Sequence, residues 1–246
     1  MFNVTPLRFD FEVEKGKSGQ DILYVKNPAD NDTLDLTISI NDFIYSHGKE
    51  TACEKGAHNR SCASWVTISP KEFKIAPGQL KKVRVRIEIP EDGSGDYWTK
   101  IYITEKKASN PNSLKKGKAT IEIYGKIQYE VFIFEKVPGI FEKNGKIETI
   151  NISQNNETKQ HQVNFDFRNL SDNILYTKGK IEIRDELGDA ISKFKVDRFK
   201  VYPNDYKTIS SIIPDSLYRG EYSAVVILDY SGKQLAAGEV IFNVEK

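Results

Sequence analysis

Apolar residues return at every second position along most of the chain. Leu34, Leu36, Ile38 and Ile40 alternate with polar neighbours, and Val83, Val85, Ile87 and Ile89 repeat the pattern. A strand with one buried and one solvated face requires this period of two. No helix-length window shows apolar residues recurring at three and four, so the pattern predicts an all-β chain. In the first half the expected strands cover residues 7–13, 21–26, 34–40, 65–68, 81–89, 97–105 and 120–134. In the second half they cover 146–153, 162–168, 178–184, 191–201, 206–213, 221–229 and 236–244.

Turn chemistry separates these runs. Asn27-Pro28-Ala29-Asp30-Asn31-Asp32, Ala76-Pro77-Gly78 and Glu91-Asp92-Gly93-Ser94-Gly95 supply the Pro, Gly and Asn/Asp that tight loops need. Glu186-Leu187-Gly188-Asp189 and Tyr230-Ser231-Gly232-Lys233 read as hairpin turns. The stretch 106–119, rich in Lys, Asn and Ser, reads as one long loop. An alternation that ends at Val137-Pro138-Gly139 marks a boundary, giving domains 1–137 and 138–246. Seven short strands in each half is the signature of a sandwich, so the expected fold is two tandem immunoglobulin-like β-sandwich domains. A chain of 246 residues accommodates two such domains comfortably.

Composition narrows the function classes. Lys plus Arg number 36 against 35 Asp plus Glu, with both signs interleaved, so no strong net field recruits nucleic acid or an anionic membrane. No apolar run approaches the roughly 20 residues that cross a bilayer, and membrane insertion is not expected. Met1 is the only methionine and stands directly ahead of a strand-like segment. We read the chain as an exported protein whose signal peptide has been removed.

Two cysteines, Cys53 and Cys62, flank a polar stretch containing Gly56. In an oxidising compartment they are expected to close a disulfide worth about 2 to 3 kcal/mol on the chain-entropy model. Two unpaired thiols, or a zinc site with His47 and His58, are the alternatives, although the spacing matches no standard zinc pattern. His47, His58 and His161 are too scattered for a triad, and no nucleophile elbow or phosphate loop occurs. Carboxylates at Asp185 to Asp189 lie in a turn that offers a calcium ion little more than oxygen atoms. No metal, cofactor or catalytic residue is expected, and the chain is read as a binding protein rather than an enzyme.

Several stretches, taken in order, resemble the amino-terminal domain of PapD-like periplasmic pilus-assembly chaperones. They are Thr5-Pro6-Leu7-Arg8-Phe9, Tyr24-Val25-Lys26-Asn27-Pro28, Arg60-Ser61-Cys62-Ala63-Ser64-Trp65-Val66-Thr67-Ile68-Ser69-Pro70, Ile75-Ala76-Pro77-Gly78-Gln79 and Val83-Arg84-Val85. The second half is similar more loosely, through Arg168-Asn169, Leu217-Tyr218-Arg219-Gly220-Glu221-Tyr222 and Phe242-Asn243-Val244. The resemblance implies a divergent periplasmic member. Its partner would be a pilin-like client whose sandwich lacks a strand and exposes a β edge, and an outer-membrane usher would receive the complex. It implies client-strand binding through Ile121, Ile123, Ile127 and Tyr129, which share one parity in the run 120–134. It also implies a carboxylate anchor at Arg8 and Lys126, although Lys126 lies farther from Pro138 than the family pattern places its basic residue. Two other readings stand beside it: a strand that pairs only inside its own sandwich, and a structural or adhesive cell-surface or cell-wall-associated immunoglobulin-like protein.

Overall fold

The computed structural model describes residues 2–106, 112–116, 119–123, 126–155, 158 and 160–245, with backbone alone for those between 112 and 123. The chain divides into two compact units, Met1–Ile44 with Ala52–Gly139, and Tyr45–Thr51 with Ile140–Lys246.

The first twelve strands are β1 (Asn3–Thr5), β2 (Arg8–Phe11), β3 (Ser18–Lys26), β4 (Leu34–Ser46), β5 (Lys49–Cys53), β6 (Val66–Ser69), β7 (Glu72–Ile75), β8 (Leu80–Glu88), β9 (Gly95–Glu105), β10 (Asn112–Lys116), β11 (Ala119–Ile123) and β12 (Gln128–Val137). One sheet runs β1-β3-β8-β6 and a second β2-β12-β9-β4-β5, with β7 paired to β4. Between the sheets lies a core that includes Leu23, Val25, Leu36, Val83, Val85, Ile87, Ile101, Ile103, Val131 and Ile133, all fully buried.

The seven strands expected in the second half are all present: β13 (Gly145–Gln154), β14 (His161–Asn169), β15 (Leu175–Asp185), β16 (Ala190–Val201), β17 (Tyr206–Ile212), β18 (Gly220–Asp229) and β19 (Ala236–Val244). They form sheets β13-β14-β17 and β16-β15-β18-β19 around Val163, Phe165, Phe167, Ile181, Ile183, Ala224, Val226 and Leu228. Both expected hairpin turns occur, with Gly188 at φ 85° and Ser231 at φ 59° in the left-handed region.

Each unit is an immunoglobulin-like β-sandwich, and the two use one device at the same place. Asn27, at the end of β3, is fully buried; its Nδ2 donates to the carbonyls of Asp32 (2.7 Å) and Ile75 (3.0 Å), and its Oδ1 accepts from the Ala29 amide. Asn169, at the end of β14, is likewise fully buried; its Nδ2 donates to Asn173 (2.7 Å) and Val201 (3.0 Å), and its Oδ1 accepts from the Ser171 amide. A side-chain amide that satisfies three buried backbone groups in this way pins a corner that strand pairing leaves open.

Three strand expectations are corrected. The run 7–13 shortens to β2, which joins β12, and a strand not expected, β1, precedes it and joins β3 in the other sheet; Pro6 between them has no N–H to continue a ladder. The run 120–134 is broken as well. The pairing of β12 with β9 ends at Gln128 and Thr104, because β9 itself ends at Glu105, so among the described residues β11 has no sandwich strand beside it. It pairs instead with β10 in a separate two-stranded sheet, which places a strand inside the stretch expected to be a loop. Gly125, the residue expected to interrupt the row, lies outside the described residues.

Candidate functional site

The sheet containing β12 has two covered faces near its middle. On one, Val131 and Ile133 enter the core, and Ile127 and Tyr129 continue the row half-buried, with Tyr129 lying 4.8 Å, centre to centre, from the Phe2 ring. On the other, Phe132 and Phe134 of β12 meet Phe43 of β4, with ring centres 5.4 and 6.3 Å from it. Edge-on contacts of this kind suit the aromatic quadrupole. Trp98 of β9, opposite Phe134, donates its indole N–H to the Phe43 carbonyl at 2.8 Å.

This second face is covered by chain that is remote in sequence. Pairing of β4 with β9 ends at Asn41 and Lys100, and beyond it Ser61 takes β4's place beside Trp98. Fully buried Asp42 accepts hydrogen bonds from Ser61 Oγ (2.6 Å) and the Gly56 amide, so the polar segment is tied down, and the His58 ring stacks on Trp98 at 5.0 Å. Here Cys62 is buried and Cys53 half-buried, and both are free thiols, so the expected disulfide is not shown. Cys62 belongs to the core cluster and its amide is bonded to the Trp98 carbonyl, so it is committed to packing rather than to a clip across the segment. Burial, reinforced by Asp42 and Glu135, pushes the Cys62 thiol well above its ordinary value.

Cations edge the aromatic cluster. Register sets Arg8 of β2 beside Phe132 of β12, and Lys100 of β9 on the other side of Phe132. Arg8 lies over the Phe134 ring at 4.3 Å, and Lys100 Nζ lies 4.4 and 4.7 Å from the Phe132 and Phe43 ring centres. All three distances are within cation–π range. Arg8 also grips the Asp10 carboxylate through Nε (2.8 and 2.9 Å) and Nη2, a fork of the kind a bound carboxylate would receive. The Arg8 side chain is 46% exposed, whereas that of Lys100 is 2% exposed and faces Glu130.

The structure does not bring Arg8 and Lys126 together. Lys126 precedes the Arg8 partner Phe132 by six residues, about 20 Å of extended chain. Lys100 is two strands from Arg8, about 10 Å away, and sequence reasoning missed it. It was hidden because Lys100 sits at an alternating polar position that reads as solvated. Ile121 and Ile123 lie on β11 with Leu114 and Asn112 of β10 as backbone partners; their side chains lie outside the described residues. Among the described residues no three His, Cys, Asp or Glu side chains are grouped to hold a metal ion.

No family model matches the chain, and no curated protein matches it. Solved structures do. One, described as a chaperone–tip adhesin complex vital for synergistic activation of CFA/I fimbriae biogenesis, is 16% identical at TM-score 0.52 over 99% of this chain and 98% of that one. The class 5 fimbriae chaperone CfaA matches at 15% identity and TM-score 0.49 over the full length of both chains. The CsuC–CsuE chaperone–tip adhesion subunit complex of Acinetobacter baumannii matches at 11% identity and TM-score 0.45, over 85% of this chain and 89% of that one. At such identity the first of these likenesses shows the fold alone, over nearly the whole of both chains.

Proposed function

We propose that this chain is a divergent periplasmic chaperone of the PapD-like kind, which binds pilin-like subunits by lending them a β-strand. The observation that carries the reading is β11, which among the described residues pairs with β10 alone and with no strand of either sandwich. Such a strand offers a free row of backbone donors and acceptors to a client whose own sandwich is short of a strand. Its Ile121 and Ile123 alternate with Thr120 and Glu122, the spacing that fills an open core from one side. Ile127 and Tyr129 anchor the start of β12 in the chaperone's own core and hold the donor segment in place. Arg8 is the carboxylate anchor, releasing Asp10 to take the client's terminal carboxylate. Lys126 takes the second anchoring role only if the client reaches along β12. An outer-membrane usher is the partner class that would accept the loaded complex.

Coexpression with a pilin-like subunit tests the reading. Ile121→Asp with Ile123→Asp should abolish copurification of the client without moving the unfolding midpoint of the first unit. Arg8→Ala should weaken it by roughly tenfold, the loss of one charge-assisted contact. Client capture that survives both aspartates rules out strand donation.

A further inference from the structure

Two hollows flank β16 in the second unit. One, of about 750 Å³, is lined by β15, β16 and β18 with Leu235, where the β15–β16 register shifts between Thr177 and Gly179. Phe194, Val196, Ile227 and Leu235 give it an apolar lining, and Lys178, Lys180, Lys193 and Lys195 stand around it. Gly179 keeps this place tight: a Cβ there would lie 2.3 Å from the Ile227 carbonyl oxygen. The other hollow, of about 440 Å³, runs between β16 and β17 and shares Phe194 and Lys195 with the first.

Both strands along this second hollow are sheet edges, since among the described residues β16 is bonded only to β15 and β17 only to β14. Their outer backbone groups are therefore available to another extended chain. The charge is one-sided as well. Lys180, Lys193 and Arg184 share the single carboxylate of Glu182 at 2.7, 2.9 and 3.0 Å, and together they hold that carboxyl far below its usual range. Lys178 has Asp229 at 3.6 Å, while Lys195, Arg198 and Lys207 add further positive charge against Asp197 alone.

We propose that β16 receives an extended acidic segment of a partner protein, which adds to its free edge as a further strand, lays apolar side chains over Phe194 and sets Asp or Glu against Lys193 and Lys195. The unpaired edge selects a peptide over a lipid headgroup or small anion, because only an extended backbone uses both the edge and the lysines. The site lies in the other unit from β11 and does not depend on strand donation.

The test uses the full chain and a fluorescein-labelled peptide of about eight residues alternating Val and Glu, read by anisotropy. Saturable binding should weaken by roughly tenfold between about 20 and 300 mM salt. Lys195→Glu and Lys193→Glu should each weaken it by a similar factor. Both residues are exposed, and circular dichroism should show both variants folded. A Val/Lys peptide should not bind, and methylating alternate backbone nitrogens of the Val/Glu peptide should remove most of its affinity. Lysines that merely protect an edge from pairing would bind neither peptide, and that result overturns the proposal. So do equal binding of the Val/Glu and Val/Lys peptides, indifference to Lys195→Glu, or a methylated peptide that binds as well as the plain one, which would mark a site for small amphipathic anions.

Discussion

Lys100 Nζ lies 2.8 Å from a Glu130 carboxylate oxygen, yet the lysine side chain is 2% exposed and the glutamate 45%. The pair is one-sided: the cation has left water and its counter-ion has not. Two aromatic rings, Phe43 and Phe132, also lie against the lysine. Removing either partner should therefore have unequal consequences.

Glu130→Ala strips a buried cation of its carboxylate and should destabilise the first unit by about 3 kcal/mol. Lys100→Met removes the buried charge itself, keeps the packing and leaves Glu130 free to hydrate, so its cost should be about 1 kcal/mol or less. Trp65 and Trp98 both belong to the first unit, so the urea midpoint followed by tryptophan fluorescence reads this difference. A larger loss from Lys100→Met would reverse the account.

Glu135 is 1% exposed, and its Oε1 accepts from the Val13 amide at 2.9 Å while Oε2 is buried without a hydrogen-bond partner. Burial, opposed by that amide and aided by Glu12 and Asp96, pushes the carboxyl up to about 7. Its folded value thus exceeds the unfolded one near 4.3, so its stabilisation is complete below about pH 4.3 and is lost as pH rises to about 7. The first unit should lose on the order of 2 to 3 kcal/mol from this group between pH 4.5 and 8, and Glu135→Gln should flatten that slope. Midpoints of both proteins at the two pH values decide it; an unchanged slope in the variant refutes the assignment.

Thiol chemistry checks the cysteines. Cys62 is fully buried and Cys53 is also raised by burial and by Asp42, so at pH 8 the native protein should alkylate slowly at Cys53 and not at Cys62. In about 6 M urea both should react. Fewer than two reactive thiols in urea would mean that Cys53 and Cys62 are joined after all.

Much of the architecture was legible in one dimension. Alternation at Leu34, Leu36, Ile38 and at Val83, Val85, Ile87 identified strands with one core face, and those residues do enter the core. The turns at Gly188 and Ser231 were marked by residues that tolerate positive φ. The short strands β5, β7 and β10 were missed: they are brief or polar, and only their ladders make them strands. Arg8 is exposed, as its polar alternation implied, while the cation that register brings nearest to it across β12 is Lys100, which alternation does not single out.

Which side chains alternate, and hence the all-β class and the strands of the second sandwich, is written in neighbouring residues and needs no folded chain to read. Which strand lies beside which, that β11 is left outside both sandwiches, and that Lys100 is buried beneath Phe43 are decided only on folding. Pairing and cover come from segments tens of residues away, joined through ladders and packed rings, and a period-two pattern carries no record of what will be laid across its polar face.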